Sequence, residues 1–187
     1  MKKDEIRRKI RARKALMSAE ECVEAAERVF EAVQNMAAFT MAERILMYHS
    51  LPDELSTREF IDRWHERKKF FLPRVNGLNL EILPYDRSRL HLGAFQIEEP
   101  DGTETVDIND IDLVIVPAVA YDRRGNRVGR GKGYYDRLLS TARALTTIGV
   151  GYGFQLVEDI DSEPFDVAVD FVVTDGNGVI RCRRVKA

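Results

Sequence analysis

Cysteine is nearly absent from this chain: Cys22 and Cys182 are the two in 187 residues, far apart and without a partner motif. No disulfide framework is expected, and both thiols read as inert core or surface residues in a reducing compartment. Long apolar runs are missing as well, since none approaches the roughly 18 residues that span a bilayer, so no membrane partner is expected. The opening M-K-K-D-E-I-R-R has no apolar stretch of the secretory kind, which makes the cytoplasm the expected location. Nor is there an excess of one charge. Lys plus Arg number 29 against 31 Asp plus Glu, a formal net charge of −2, so the global basic field that nucleic-acid binding demands is lacking. No internal repeat, no low-complexity tract and no paired Ser/His or Cys/His constellation is visible.

What the chain does have is enough apolar residue, 44% of 187, for one substantial core, so a single domain over 1–187 is expected, acting as a monomer. Its elements alternate. Residues 3–16 and 19–38 read as helices, the second opened by Ser18 with Glu21 three residues on, a capping-box pattern. Residues 44–49, 69–74 and 80–83 look extended, with a helix over 57–68 that Ser56 and Glu59 should box. Further strands are predicted at 112–116, 147–152 and 171–174, with a helix over 136–145, and Asn177-Gly178 turns the chain into a last edge strand over 179–183. This β-α-β rhythm predicts an α/β protein: an open, mainly parallel sheet with helices on both faces, a three-layer sandwich.

The densest signal lies between Asp112 and Leu139. Leu113 to Val116 is continuously apolar, as for a strand covered on both faces, and Pro117 ends it by removing a donor. From Gly125 to Gly133 stand four glycines and three bases, Arg127, Arg130 and Lys132, so bare backbone N–H groups and cations can approach one anion. Tyr134 onward looks helical and should add a helix amino terminus to that cradle. The pattern is neither of the two familiar phosphate loops. Asn126 and Gly133 break G-x-x-x-x-G-K-[ST], and Gly129, Gly131 and Gly133 give G-x-G-x-G rather than G-x-G-x-x-G. The density of bases suits a triphosphate.

Eight of the first fourteen residues are basic. At about 100° per residue Ile6, Ile10 and Met17 share one stripe with Lys3, Arg7 and Lys14 along its border, while Arg8, Lys9 and Ala12 project away. Basic amino termini are common, and on this alone Lys3 and Arg7 read as solvated. Glu54 by itself is an ordinary loop acid, and Trp64 with Phe70-Phe71 reads as core.

The run Gly125-Asn126-Arg127-Val128-Gly129-Arg130-Gly131-Lys132-Gly133-Tyr134-Tyr135-Asp136 resembles the signature of the 5-formyltetrahydrofolate cyclo-ligase, or methenyltetrahydrofolate synthetase, family. Lys3-x-x-x-Arg7, Met17-Ser18, Tyr48-His49-Ser50-x-x-x-Glu54, Phe71-Leu72-Pro73-Arg74, Glu99-Pro100 and the 149–155 stretch extend the likeness over nearly the whole chain. The resemblance implies a sandwich of the type shared with sugar-phosphate isomerases and coenzyme A transferases. It also implies two small-molecule substrates, ATP and 5-formyltetrahydrofolate, with Mg2+ bridging the phosphates through hard oxygen ligands.

Carried over residue by residue, ATP would meet Lys3, Arg7, Arg127, Gly129, Arg130, Gly131, Lys132, Gly133, Tyr134, Tyr135 and Asp136. Glu54 would accept hydrogen bonds from the pterin, His49 would line the same pocket, and Tyr134 would stack on the pterin or close over it. Asp136 is the expected metal ligand, with capping of the helix start as its plainer role; Asp170 is the second expected ligand, with Asp166 its nearest competitor. Asp159, Asp161 and Glu163 are expected to form an exposed turn. The implied chemistry is transfer of the γ-phosphoryl to the formyl oxygen, attack by the nitrogen at position ten and departure of phosphate. Such a reaction asks for positioning and charge neutralisation, with Lys132, Arg130 and Tyr134 as catalytic residues. Two rivals remain at this point: a sugar-phosphate or other nucleotide enzyme using the same cradle, and an accessory protein binding RNA through its basic first helix.

Overall fold

The computed structural model describes residues 1–93 and 96–182. Seven strands form the main sheet: β1 (Arg44–Leu46), β2 (Lys69–Asn76), β3 (Asn79–Pro84), β6 (Leu113–Val116), β9 (Thr146–Gly151), β10 (Phe171–Thr174) and β11 (Gly178–Arg181), in the order β11-β10-β9-β6-β1-β2-β3. The central five run parallel, and the edges β3 and β11 are antiparallel hairpin partners of β2 and β10. Two ribbons, β4 (Leu90–Leu92) with β5 (Glu98–Pro100) and β7 (Ala120–Tyr121) with β8 (Arg127–Val128), stand outside the sheet.

Alternation along each strand divides the core. Ile45, Phe70, Leu113, Ile115, Ile148 and Val173 face α2 (Ala19–Gln34), α3 (Ala37–Met41) and α4 (Arg58–Trp64). Leu46, Phe71, Val114, Val116 and Val172 face Tyr121 and α5 (Tyr134–Ser140). Covered on both sides, the central strand β6 is apolar at every position, and all four of its residues are buried. The α/β sandwich expected from the sequence is what forms. Trp64, Phe70 and Phe71 are core as expected, Trp64 edge-on to Phe39 at 5.0 Å.

The elements differ from expectation mainly at their ends. The Ser18 capping box forms, Ser18 Oγ accepting from the Glu21 amide and Glu21 Oε2 from the Ser18 amide, a cap that contributes about 1 kcal/mol. The expected Ser56 box does not. Thr57 precedes α4 instead, and its fully buried side chain serves the preceding loop: its Oγ1 donates to the Tyr48 carbonyl at 2.7 Å and accepts from the Ser50 amide, while Ser50 Oγ accepts from the Thr57 amide. The helix expected over 57–68 ends at Trp64, because Lys68 turns its ammonium onto the carbonyls of Phe39, Thr40 and Ala42. The helix expected over 136–145 starts at Tyr134 and stops at Ser140. Arg183 of the expected edge strand lies outside the described residues.

α1 (Lys3–Lys14) does not pack on the sheet. Its Ile6 and Ile10 bury against Ala120, Val128 and Ile160, so it clamps the β7–β8 ribbon. That ribbon is organised by Asp122, 1% exposed, whose carboxylate accepts from the amides of Arg124, Asn126 and Ile160 and from the Asn126 side chain. Gly125 closes the turn with φ +85°, and a Cβ there would stand 2.2 Å from the Val169 carbonyl oxygen. Among the described residues no helix is long and apolar enough to cross a membrane.

Candidate active site

The carboxyl ends of β1 and β6 open into a cleft of ≈ 2060 Å3, bordered by α1, the 127–137 segment, the 48–54 loop, β5 and the 161–167 segment. Single-ligand sites usually measure roughly 300–1,000 Å3, so this volume suits two molecules side by side.

One wall is cationic. Arg127 is buried, its side chain 4% exposed, and its guanidinium meets Asp136 Oδ1 at 2.5 Å and the Val167 carbonyl at 3.3 Å. Asp136 Oδ1 also accepts from the Val167 amide at 3.0 Å. Asp136, expected as metal ligand or helix cap, therefore compensates a buried arginine; a buried guanidinium without a counter-charge would cost several kcal/mol. Lys3 reaches Asp166 at 2.6 Å and Glu163 at 2.9 Å, and the two carboxylates raise its pKa although burial opposes them. Glu163 and Asp161 are exposed as expected, 55% and 64%, and both border the cleft, Asp161 salt-bridging the amino terminus. Arg7, which also lines the cleft, supports the loop, Nε donating to the Gly129 carbonyl at 2.9 Å and Nη1 to Asp4.

Within the loop Gly131 holds φ +98°, which lets the chain reverse and carry Arg130 and Lys132 to the rim. Gly133 then precedes α5, whose seven residues make a small macrodipole beside the formal charges of three bases. Tyr134 and Tyr135 line the cleft; Arg137 lies over the Tyr134 ring at 5.4 Å and donates to the carbonyls of Leu78 and Lys132. Arg137 ties the loop to the β2–β3 turn, a role its place on a short helix gave no means of reading.

The other wall is the 48–54 loop. Glu54, its side chain 16% exposed, accepts from the Leu51 amide at 2.9 Å and from Arg130 at 3.2 Å; Arg130 also reaches Asp53 at 2.9 Å. This contact joins the glycine-rich loop to the loop expected to hold the organic substrate. His49 is half-buried, its side chain 7% exposed, with Nδ1 2.7 Å from Glu98 Oε2 but not aligned for a hydrogen bond, and Glu98 also pairs with Arg58 at 2.8 Å. Burial, then Arg58, holds the His49 pKa below the ordinary histidine value, with Glu98 and Asp62 opposing. Lys14, read from its helix position as a border cation, also lines the cleft; burial lowers its pKa against the pull of Asp53 and Glu54.

Asp170 is the expectation that the structure corrects. It lies before β10 at the amino-terminal side of the sheet and is absent from the cleft, its carboxylate accepting from the Thr147 amide and hydroxyl at 2.9 and 3.0 Å. Its competitor Asp166 is the one that faces the site. Among the described residues no three His, Cys, Asp or Glu side chains converge as a metal cage. The acids nearest the glycine-rich loop already neutralise Lys3, Arg127 and Arg130, so the residues present do not fit a resident metal centre.

The model of the 5-formyltetrahydrofolate cyclo-ligase family matches residues 1–175. The 5-formyltetrahydrofolate cyclo-ligase of Haemophilus influenzae is 30% identical over 175 residues, 89% of this chain and 94% of that one. The one from Escherichia coli K12 is 31% identical over 174 residues, 88% and 96%. Among solved structures, the 5,10-methenyltetrahydrofolate synthetase of Aquifex aeolicus superposes with a TM-score of 0.86 at 31% identity, covering 99% of this chain and 95% of that one. A Mycoplasma pneumoniae synthetase, at 24% identity and TM-score 0.75, shares the fold. Matched by the family model over residues 1–175 and by relatives along nearly its whole length, the chain belongs to the 5-formyltetrahydrofolate cyclo-ligase family of ligases.

Proposed function

We propose that this cleft closes 5-formyltetrahydrofolate into 5,10-methenyltetrahydrofolate at the expense of ATP, with the nucleotide on the α1 and glycine-loop wall and the pterin on the 48–54 wall. The observation that carries the reading is the Arg130–Glu54 contact at 3.2 Å: an anion-binding loop and an acceptor carboxylate meet inside one cavity. Membership of the family sets aside the RNA-binding accessory protein, and nothing in the cleft favours a sugar phosphate over a pterin.

Arg130 and Lys132, at the rim of the glycine-rich loop, meet the triphosphate and the charge that develops on the transferred group. Gly129, Gly131 and Gly133 leave room for the phosphates to approach backbone N–H groups. Arg127, fixed by Asp136, and Arg7, fixed on the Gly129 carbonyl, hold the loop in shape and add positive potential. Lys3 exchanges Asp166 and Glu163 for phosphate, and Tyr134 and Tyr135 close the wall. Magnesium would come as part of the nucleotide substrate, Mg-ATP, as suits a hard cation that keeps several waters. Glu54 accepts from the pterin's amino and ring N–H groups once Arg130 has moved to phosphate. One chain supplies every residue named, so a monomer suffices, and the two free thiols suit the reducing cytoplasm.

The chemistry follows from a poor leaving group. A formyl oxygen cannot depart as oxide; phosphorylated, it departs as phosphate, and the nitrogen at position ten closes the ring. Protein, Mg-ATP and 5-formyltetrahydrofolate mixed together should develop the near-ultraviolet absorbance of the methenyl product in step with ADP. ADP release without that absorbance, or no change at all, refutes the reading.

A further inference from the structure

Resting on the cyclo-ligase reading, we propose that His49 is the general base of the ring closure, taking the proton from the nitrogen at position ten of the folate. The reaction itself demands an acceptor. The formyl oxygen bonds to the γ-phosphorus and ADP leaves; the nitrogen at position ten then gives its lone pair to the formyl carbon and becomes a protonated, positively charged centre. That N–H proton must leave before phosphate departs with the C–O electron pair and the nitrogen at position five completes the amidinium. The charges balance because the departing group, which would otherwise leave as trianionic phosphate, takes up that one proton; none is released overall, and a group at the ring-closing end is needed to carry it from the nitrogen towards the phosphate.

The carboxylates bordering the cleft are poorly suited. Glu54 is held by the Leu51 amide and Arg130, Asp136 by Arg127 and the Val167 amide, Asp166 by Lys3, and Glu99 by the Val75 amide. Each of these carboxylates already has a cationic or N–H partner that it would have to give up before taking a proton. His49 is the one imidazole among the described residues lining the cleft. It sits at the end of β1, three residues past Leu46, on the same loop as Glu54 and therefore on the folate wall. The loop is fixed by the reciprocal Ser50 and Thr57 bonds.

Its surroundings give it the state a base needs. Nδ1 is buried 2.7 Å from Glu98 Oε2 without hydrogen-bond alignment, a contact of the kind that tightens when substrate seats. With the Nδ1 proton turned to Glu98, Nε2 is left as the free acceptor, and the carboxylate steadies the imidazolium once the proton arrives. The charged groups facing the ring are Glu98 from β5 and Arg58 and Asp62 from α4. Burial and Arg58 keep His49 neutral at physiological pH, so the base is present without prior deprotonation.

The experiment compares wild-type enzyme with His49→Gln, which keeps a polar side chain and removes the base. Methenyl formation at saturating substrates should fall about 100-fold, within the usual contribution of a general base. Scrambling of isotopically labelled oxygen out of the β,γ-bridge of ATP, which reports reversible phosphorylation before the proton moves, should persist at the wild-type rate. The acid limb of the wild-type kcat profile, where rate falls as pH drops through the histidine's titration, should vanish in the variant. Scrambling that falls in step with product, or product formed at the wild-type rate, overturns the proposal. Wild-type protein that makes no methenyl product refutes the cyclo-ligase reading itself, a failure visible before the variant is assayed.

Discussion

The two walls of the cleft are built by different physics. On the α1 side the framework is ionic: Lys3 with Asp166 and Glu163, Arg127 with Asp136, Arg130 with Asp53 and Glu54. On the 48–54 side it is a set of neutral, buried hydroxyl bonds between Ser50, Thr57 and the Tyr48 carbonyl, with a neutral histidine at the edge. The buried Arg127–Asp136 pair is fixed, but ion pairs at the partly open rim, as those of Arg130, are weak and exchangeable, and an arriving polyanion can take over their cations. Buried hydroxyl bonds are costly to break and hold a fixed shape. One wall is arranged to trade partners and the other to stay still.

Removing a cation should damage chemistry without damaging the fold. Lys132→Ala deletes a side chain exposed on the rim of the glycine-rich loop, so its thermal midpoint should match the wild type while kcat falls by about 10²–10³, the usual loss for one donor to developing charge. Equal ATP-dependent turnover in that variant would remove the lysine from the scheme. On the opposite wall the order of effects should invert. Thr57→Val keeps the volume but strands the Tyr48 carbonyl and the Ser50 amide, at a cost of about 1–3 kcal/mol in denaturant unfolding. It should raise the KM for 5-formyltetrahydrofolate more than that for ATP. A variant as stable as wild type would mean that water replaces the hydroxyl, and the contrast between the walls would fail.

The neutral wall also carries a pH dependence of stability. Because the folded His49 pKa is depressed, the unfolded chain binds the proton more readily. Stability should therefore be full above the ordinary histidine value of about 6.5 and decline as pH falls below it. His49→Gln should flatten that decline. Unfolding curves between mild acid and neutrality, measured for both proteins, decide it; parallel curves would show that histidine titration is not their cause.

How legible these walls were depends on the range of the forces that make them. The sheet was readable because burial on both faces leaves apolar runs such as Leu113 to Val116, and the Ser18 box because its partners lie three residues apart. The glycine-rich loop was readable because its bases and glycines are contiguous. What failed was long-range. Ser56 and Glu59 satisfied a local capping rule that lost to Thr57, whose hydroxyl is drawn to a carbonyl nine residues away. Asp170 and Asp166 are equivalent in sequence, and only the placement of α1 beside the 161–167 segment, bringing Lys3 to Asp166, separates them. The pairing of Asp136 with Arg127 was hidden for the same reason, since the two meet across the turn that the glycines make.

The smallest expected effect tests the exchange of partners directly. Asp53 is 54% exposed and holds Arg130 at 2.9 Å, so the pair contributes at most about 1 kcal/mol to stability. If Arg130 must leave Asp53 and Glu54 to meet phosphate, Asp53 competes with the nucleotide. Asp53→Asn should then leave the unfolding midpoint nearly unchanged and tighten ATP binding by up to about fivefold, the equivalent of about 1 kcal/mol. Titration calorimetry with Mg-ATP gives the answer, and the gain should shrink as salt screens the competing charge. Unchanged or weaker binding would mean that Arg130 stays with its carboxylates when the nucleotide arrives. In that case the cationic wall would be as fixed as the one it faces.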